Sequence, residues 1–295
     1  MYICPVCKNK LHKRGENFFC KNCKTVYEFE NNSISFLQRL ADSTNAIERT
    51  YDTINQLYNS SPGGRFVQFL NLGYTENDGE SLLDNSIFSN TKINRNSISL
   101  ILKIFKTINL NNKRIIDIGC GRCGTLNLLS QLYPQGMYWG CDICNTGFTK
   151  KLSNVELFSC DVQSIIPLKN CYIDIAYSIE VIHTISNKET ALKNIRKILK
   201  NNGLLILADA LTENEWNDWV FCAISNGFKI NQKIDISKNV ITSCREISSN
   251  RLKMLGQQFC EIIGAPGSKF YDNLVNGVLK YKILYLEKND KGKTV

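Results

Sequence analysis

Between residues 113 and 209, short apolar runs alternate with polar stretches of helical length. The runs are Arg114–Ile118, Met137–Cys141, Val155–Ser159, Ile173–Ser178 and Leu204–Ala208. This alternation predicts parallel strands joined by crossover helices. Just before the first run, Ile98, Leu100, Ile101, Leu102, Ile104 and Phe105 recur at helical spacing, so a helix is expected there. Residues 45–108 as a whole read as helices around the loop SPGGRFVQFLNLGYTENDGE. A helix over Glu189–Lys200 is expected to stop at Asn201-Asn202-Gly203, residues that tolerate a left-handed turn. Beyond residue 210, strands are expected near Phe228–Ile234 and Tyr281–Leu286, with helices over roughly 239–263 and then a loop, GAPGSKFYDNL. The tail NDKGKTV reads as frayed. The expected division is therefore 1–37 as a cysteine-paired module, 45–110 as a helical lid, and 111–290 as the main α/β domain with a helical insertion near 239–276.

Composition narrows the setting. The chain has 295 residues, 43% of them hydrophobic, enough for one packed domain and a small appendage. Its net charge of +9 is scattered, with no run of one sign, and reads as a solvated surface in preference to a nucleic-acid stripe. No stretch is long and apolar enough for a membrane span, and MYICPVCKNK lacks the apolar core of a signal peptide. The thirteen cysteines are an odd number and four fall in a metal pattern, so free thiols in a reducing cytoplasm are expected in place of a disulfide framework.

That metal pattern is Cys4-x2-Cys7 and Cys20-x2-Cys23, separated by 12 residues. Each pair on a tight turn lets two thiolates face one tetrahedral ion. Thirty residues bury too little apolar surface to fold unaided, so a closed four-sulfur zinc site would supply the folding free energy. With four protein ligands it would be structural, not catalytic. Cys120-x2-Cys123 and Cys141-x2-Cys144 also fit a ribbon spacing. Their first cysteines, however, lie in strand-to-turn motifs that have their own explanation.

The first such motif is IIDIGCGRCG, a glycine-rich turn between a strand and a helix beginning near Thr125. Its glycines let the backbone pass close to a ligand. Asp142 ends the second strand, where an acid can take two hydroxyls of a ribose, and Asp161 ends the third, where it can accept from an adenine amino group. Taken singly, Asp142 and Asp161 could equally be helix N-caps, and a nicotinamide cofactor would use the same loop and acid. The order IIDIGCGRCG, WGCDI, FSCDV, YIDIAYSIEVIHTI and IRKILKNNGLLILAD resembles class I S-adenosylmethionine (SAM)-dependent methyltransferases. The resemblance implies an α/β, Rossmann-like fold with a seven-stranded mixed sheet whose last strand is antiparallel. It implies that Asp117, Gly119 and Gly121 border the methionine part of SAM, Asp142 its ribose and Asp161 its adenine. Ser178 and Tyr74 join the expected cofactor contacts, Tyr74 as part of a lid. ICPVCKNKL and FFCKNCKTVYEF resemble Trm112-like ribbons fused to methyltransferases.

Methyl transfer to a hydroxyl benefits from a positioned base. His183, after the fourth strand, is the candidate, since its ordinary pKa suits proton removal near neutrality. Glu180 and Asp209 are alternative bases or orienters of its ring. The other histidine, His12, lies in the ribbon, where a surface role is expected. Asn71-Leu-Gly73-Tyr74, SKNVITSCREISSNRLKML and FYDNLVNGVLKYKILYLEK, together with GCGRCG and EVIH, resemble the O-methyltransferases of polyketide, nonribosomal-peptide and phenolic-glycolipid biosynthesis (phthiotriol and microcystin types). Those relatives carry a second His where this chain has Thr184, and Trp where it has Thr75, which separates this chain's catalytic set from theirs. The resemblance implies a small-molecule or carrier-bound hydroxyl acceptor. The rival acceptor is rRNA or tRNA docked by the ribbon, and a third reading is a non-catalytic binding module.

Overall fold

A computed structural model describes residues 1–30, 32–37, 46–61, 64–82, 94–148 and 154–289; the expected fraying at 290–295 lies outside them. The strands are β1 His12–Arg14, β2 Asn17–Phe19, β3 Val26–Tyr27, β4 Phe29–Glu30, β5 Ser33–Ser35, β6 Arg114–Ile118, β7 Met137–Asp142, β8 Val155–Ser159, β9 Ile173–Ile179, β10 Leu199–Thr212, β11 Phe228–Asp235 and β12 Leu279–Lys288. The helices are α1 Ala46–Ser60, α2 Arg95–Phe105, α3 Gly124–Leu132, α4 Lys188–Ile198, α5 Glu213–Ser225, α6 Ser237–Leu255 and α7 Lys269–Val275.

The central sheet runs β11-β12-β10-β9-β6-β7-β8-β5-β4. Strands β6 to β10 pair in parallel, whereas β12 is antiparallel to both neighbours. The seven strands from β11 to β8 are thus the mixed sheet that the motif order implies. Period-2 alternation sends Ile115 into one apolar layer and Ile116 into the other. One layer holds α4 and α5, with Leu192, Ile195, Trp216 and Trp219. The other holds α2, whose Ile98, Ile101, Ile104 and Phe105 are all under 5% exposed, each worth roughly 1.5–3 kcal/mol on burial. Phe105 meets Tyr177 of β9 edge to face at 5.1 Å, fixing this helix beneath the strand.

Three expectations are corrected. Helix α4 stops at Ile198, not at Asn201-Asn202-Gly203; Leu199 is already extended, and Asn202, at φ 58, shapes an irregularity inside β10. Helix α6 stops at Leu255, where Gly256 adopts φ +99. The segment KFYDNLV, read as loop, is helix α7, because Ser268 caps it by accepting from Tyr271 N and Glu261 accepts from Lys269 N and Phe270 N.

The N-terminal cysteine module is built into the main sheet. Strand β5 pairs in parallel with β8, matching Ile34 to Phe158, and β4 closes the edge. Ile3 N donates to Pro167 O and Lys169 N to Met1 O, both at 3.0 Å. Tyr2 packs against Phe18, Phe36 and Phe158, and its hydroxyl donates to Glu156 at 3.0 Å. The module therefore grips both sides of the segment 158–169. It shares the apolar layer of α4 and α5 and has no separate core.

Candidate functional site

Crossovers from β6 lead one way to β7 and β8, and the next strand, β9, lies on its other side. This reversal opens a crevice beyond the carboxyl ends of the strands. A cavity of about 480 Å³ lies there, bordered by Asp117, Gly119, Gly121, Asp142, Asp161, Glu180, His183 and Asp209, within the usual size range of small-molecule sites. The three strand-end acids thus face one compartment.

The turn after β6 is held by two N–H groups, of Gly119 and Cys120, that donate to Cys141 O at 2.8 and 3.1 Å. Gly119 has φ +80, and a Cβ there would lie 2.3 Å from Val181 Cγ2. Only glycine fits that position. Asp142 accepts from Gly121 N at 2.8 Å and from Cys144 N at 3.0 Å, and Asp161 accepts from Gln163 N at 2.8 Å. The N-cap-like reading and the ligand-facing reading therefore coexist. A carboxylate has about four acceptor positions, and these bonds leave others free. Burial pushes the Asp142 carboxyl above its ordinary range despite the Cys144 and Gly121 donors, and pushes Asp117 well above it.

Arg122, unremarked in the sequence, ties the roof to this turn. Its guanidinium donates to Val67 O at 2.8 Å and to the side-chain oxygens of Asn55 and Asn59 at 3.3 and 3.0 Å, and lies over the Tyr58 ring. Ile47, Tyr51, Ile54, Asn55 and Tyr58 of α1 all border the cavity. Their spacing of three and four residues was the available signal, since it puts them on one helix face.

On the far side, His183 Nδ1 lies 3.0 Å from Asp209 Oδ2, and the His183 backbone N–H donates to the same oxygen at 3.1 Å. Burial lowers the imidazole pKa, but the Asp209 carboxylate outweighs it, so the net shift is upward. The His183 side chain is 42% exposed, Asp209 only 3%. One partner is accessible and the other is a fixed anchor.

The imidazole's hydrogen-bond partner is Asp209, whereas Glu180 bonds to other groups. Glu180 sits at φ 57, and its Oε1 accepts from Leu72 N at 2.8 Å and from Tyr281 OH at 2.9 Å, pinning the 64–74 segment to the strand ends. Burial, together with Asp209, raises its pKa to about 7 from 4.5, against the Leu72 donor. Folded protein therefore binds more protons than unfolded across about pH 4.5–7, and this contribution to stability is lost as pH rises through that window. Glu180→Gln is expected to reduce the fall in Tm between pH 5 and pH 7.5, as read by calorimetry at both pH values; an unaltered pH slope would contradict the assignment.

Two expected cofactor contacts lie elsewhere. Ser178 is 1% exposed and donates to Ile118 O at 2.9 Å, bridging β9 to β6 beneath the cavity floor. Tyr74 is also 1% exposed; its hydroxyl donates to Glu80 at 2.6 Å and Lys103 lies 5.2 Å from its ring centre. It plugs α2 against the loop, and Tyr51 takes the place at the cavity.

In the N-terminal module, the sulfurs of Cys4, Cys7, Cys20 and Cys23 lie within 4.8 Å of one another, the one such group among the described residues. Both turns have the same geometry: Lys8 N donates to Cys4 O, Lys24 N to Cys20 O, and both lysines have φ 62. Four thiolates around zinc at about 2.3 Å would be about 3.8 Å apart, and the Cys4–Cys23 and Cys7–Cys20 separations are 3.5 and 3.3 Å. The donor set fits zinc. Cys144, by contrast, donates to Asp52 at 2.8 Å. His12 packs against Phe19 and is not in the cluster.

Residues 116–207 match the model of the methyltransferase domain family. The chain is 24% identical over 269 residues to a phthiotriol/phenolphthiotriol dimycocerosates methyltransferase of Mycobacterium leprae, covering 84% of this chain and 96% of that protein. A fatty-acid O-methyltransferase of Mycolicibacterium smegmatis is 24% identical over 158 residues, 52% of this chain and 56% of the other. Among solved structures, the [4+2]-cyclase SpnF superposes with a TM-score of 0.64 at 18% identity over 82% of this chain and 95% of its own. The StiE O-methyltransferase domain superposes with a TM-score of 0.60 at 20% identity over 82% and 90%. These two likenesses show a common fold. The family match and the curated relatives support a SAM-dependent methyltransferase on this fold.

Proposed function

We propose that this methyltransferase acts on a hydroxyl of an apolar small molecule, a lipid or polyketide-like acceptor, with His183 as the base. The observation that carries this reading is the His183–Asp209 pair opening onto the same cavity as Asp117, Asp142 and Asp161. SAM supplies a methyl group on a good leaving group. In this reading Gly119, Gly121 and Asp117 border its methionine part, Asp142 takes the ribose hydroxyls and Asp161 the adenine. His183 takes the acceptor proton, and Asp209 stabilises the imidazolium and fixes the ring. Apolar side chains of the roof, among them Ile54, Leu70, Leu255 and Ile263, would exclude water and hold the acceptor in line. The names of the curated relatives, one acting on phthiotriols and one on fatty acids, favour an apolar acceptor. The cavity lining carries Glu180, Asp209, Glu215 and Glu261 as well as Asp117, Asp142 and Asp161, an unfavourable surface for a nucleic-acid backbone. Incubation with methyl-labelled SAM and a panel of hydroxyl-bearing lipids and polyketides is the direct test. Label should appear as a base-stable ether; label in amines or in RNA alone would refute the reading.

The four clustered cysteines are proposed to hold a structural zinc ion. Because the module is continuous with β8, chelation is expected to expose more than the ribbon. Hydrogen exchange should accelerate across residues 1–36 and into β8 while β6 and β10 stay protected. Acceleration of β6 and β10 to the same extent would mean that ribbon and sheet unfold as one unit.

A further inference from the structure

Most charged side chains bordering the cavity already have partners. Asp209 is paired with His183 and accepts from Ala210 N at 2.7 Å. Glu180 holds Leu72 and Tyr281. Glu215 closes a capping box with Thr212, and Glu261 caps α7. Arg122 is taken up by Val67, Asn55 and Asn59. Arg251 of α6 is different. It borders the cavity, yet its guanidinium makes one hydrogen bond among the described residues, to Ser97 Oγ at 3.2 Å, and no ion pair within 4.0 Å. It lies deep enough that burial pushes its pKa down, with Tyr58 and Glu180 the groups that oppose this.

A guanidinium has five N–H donors in a rigid fork matched to a carboxylate, and a buried charge without a partner is costly. Tyr58, Leu255 and Ile263, which line the same cavity, belong to one apolar cluster of the roof. We propose that the acceptor is an amphiphile bearing a carboxylate, and that Arg251 receives this group while the apolar cluster takes its hydrocarbon part. This rests on the small-molecule reading above and narrows it. Arg251 is then a specificity-determining residue, separate from the His183–Asp209 pair.

The test uses the full chain loaded with S-adenosylhomocysteine, with laurate and dodecanol as probes in calorimetric titrations. Laurate is expected to bind the unaltered protein more tightly than dodecanol. Arg251→Gln should weaken laurate at least tenfold, leaving dodecanol and S-adenosylhomocysteine within about twofold, and Arg251→Lys should restore part of the laurate affinity. Equal laurate binding by the unaltered and Gln proteins, or no laurate binding to either, overturns the proposal. A loss confined to S-adenosylhomocysteine also overturns it, because the guanidinium would then serve the cofactor's own carboxylate. Failure of the unaltered protein to bind S-adenosylhomocysteine would instead count against the methyltransferase site. A Gln variant that binds S-adenosylhomocysteine normally is folded, so loss of laurate in it cannot be laid to misfolding.

Discussion

Alanine at position 142 is expected to weaken SAM binding by about 10²-fold or more, since two charge-assisted hydrogen bonds to ribose hydroxyls are worth roughly 1.5–3 kcal/mol each. The loss should be compounded locally. Asp142 also accepts from Gly121 N and Cys144 N, so its removal frees the glycine turn as well as the ribose. Asp142→Asn separates the two contributions, because one amide oxygen remains as acceptor. Its affinity should fall between the Ala variant and the original. Isothermal titration with SAM reads the result, and a dissociation constant within threefold of the original in the Ala variant would remove Asp142 from the cofactor site.

His183→Ala should leave SAM affinity within about twofold and lower turnover by roughly 10²–10⁴-fold, the usual contribution of a positioned base. Asp209→Asn gives the sharper discrimination. The carboxylate holds the imidazole pKa up, so its loss lowers that pKa. The base is then unprotonated at lower pH, and the acid limb of the kcat profile should move to lower pH even as kcat itself falls. A purely structural role for the pair would lower activity without moving the limb. Full turnover in the Ala variant would leave the reaction without its proposed base.

Much of this architecture was legible in the sequence. Strands β6 to β12 follow from apolar runs of the right length, because a sheet buried on both faces leaves a continuous signature, whereas the antiparallel direction of the last one follows from the family resemblance. Asp117, Asp142 and Asp161 could be placed because the first lies near the end of such a run and the other two follow one within two residues. The roof was harder to read. Arg122, Tyr51 and Arg251 reach the cavity from three segments far apart in sequence, and no local pattern says which helix face will cover which strand end. Tyr74 and Ser178 misled for the same reason. Each stands beside a motif residue, but Tyr74 turns from its loop to Glu80, and Ser178 bonds back to Ile118 of β6 where Ile179 and Glu180 border the cavity. The union of ribbon and sheet was hidden because β4 and β5 are two and three residues long, too short to show an alternation.

That union has a consequence for how the molecule behaves among its own copies. An open sheet of this kind ends in a bare strand whose unpaired amides and carbonyls can recruit a stranger. Here the flank that would be left open, with Leu157 and Phe158 behind it, is already taken by the chain's own first residues, and the outermost piece is the two-residue Phe29–Glu30. The cysteine module thus doubles as a guard against sideways stacking, a service independent of any methyl group moved.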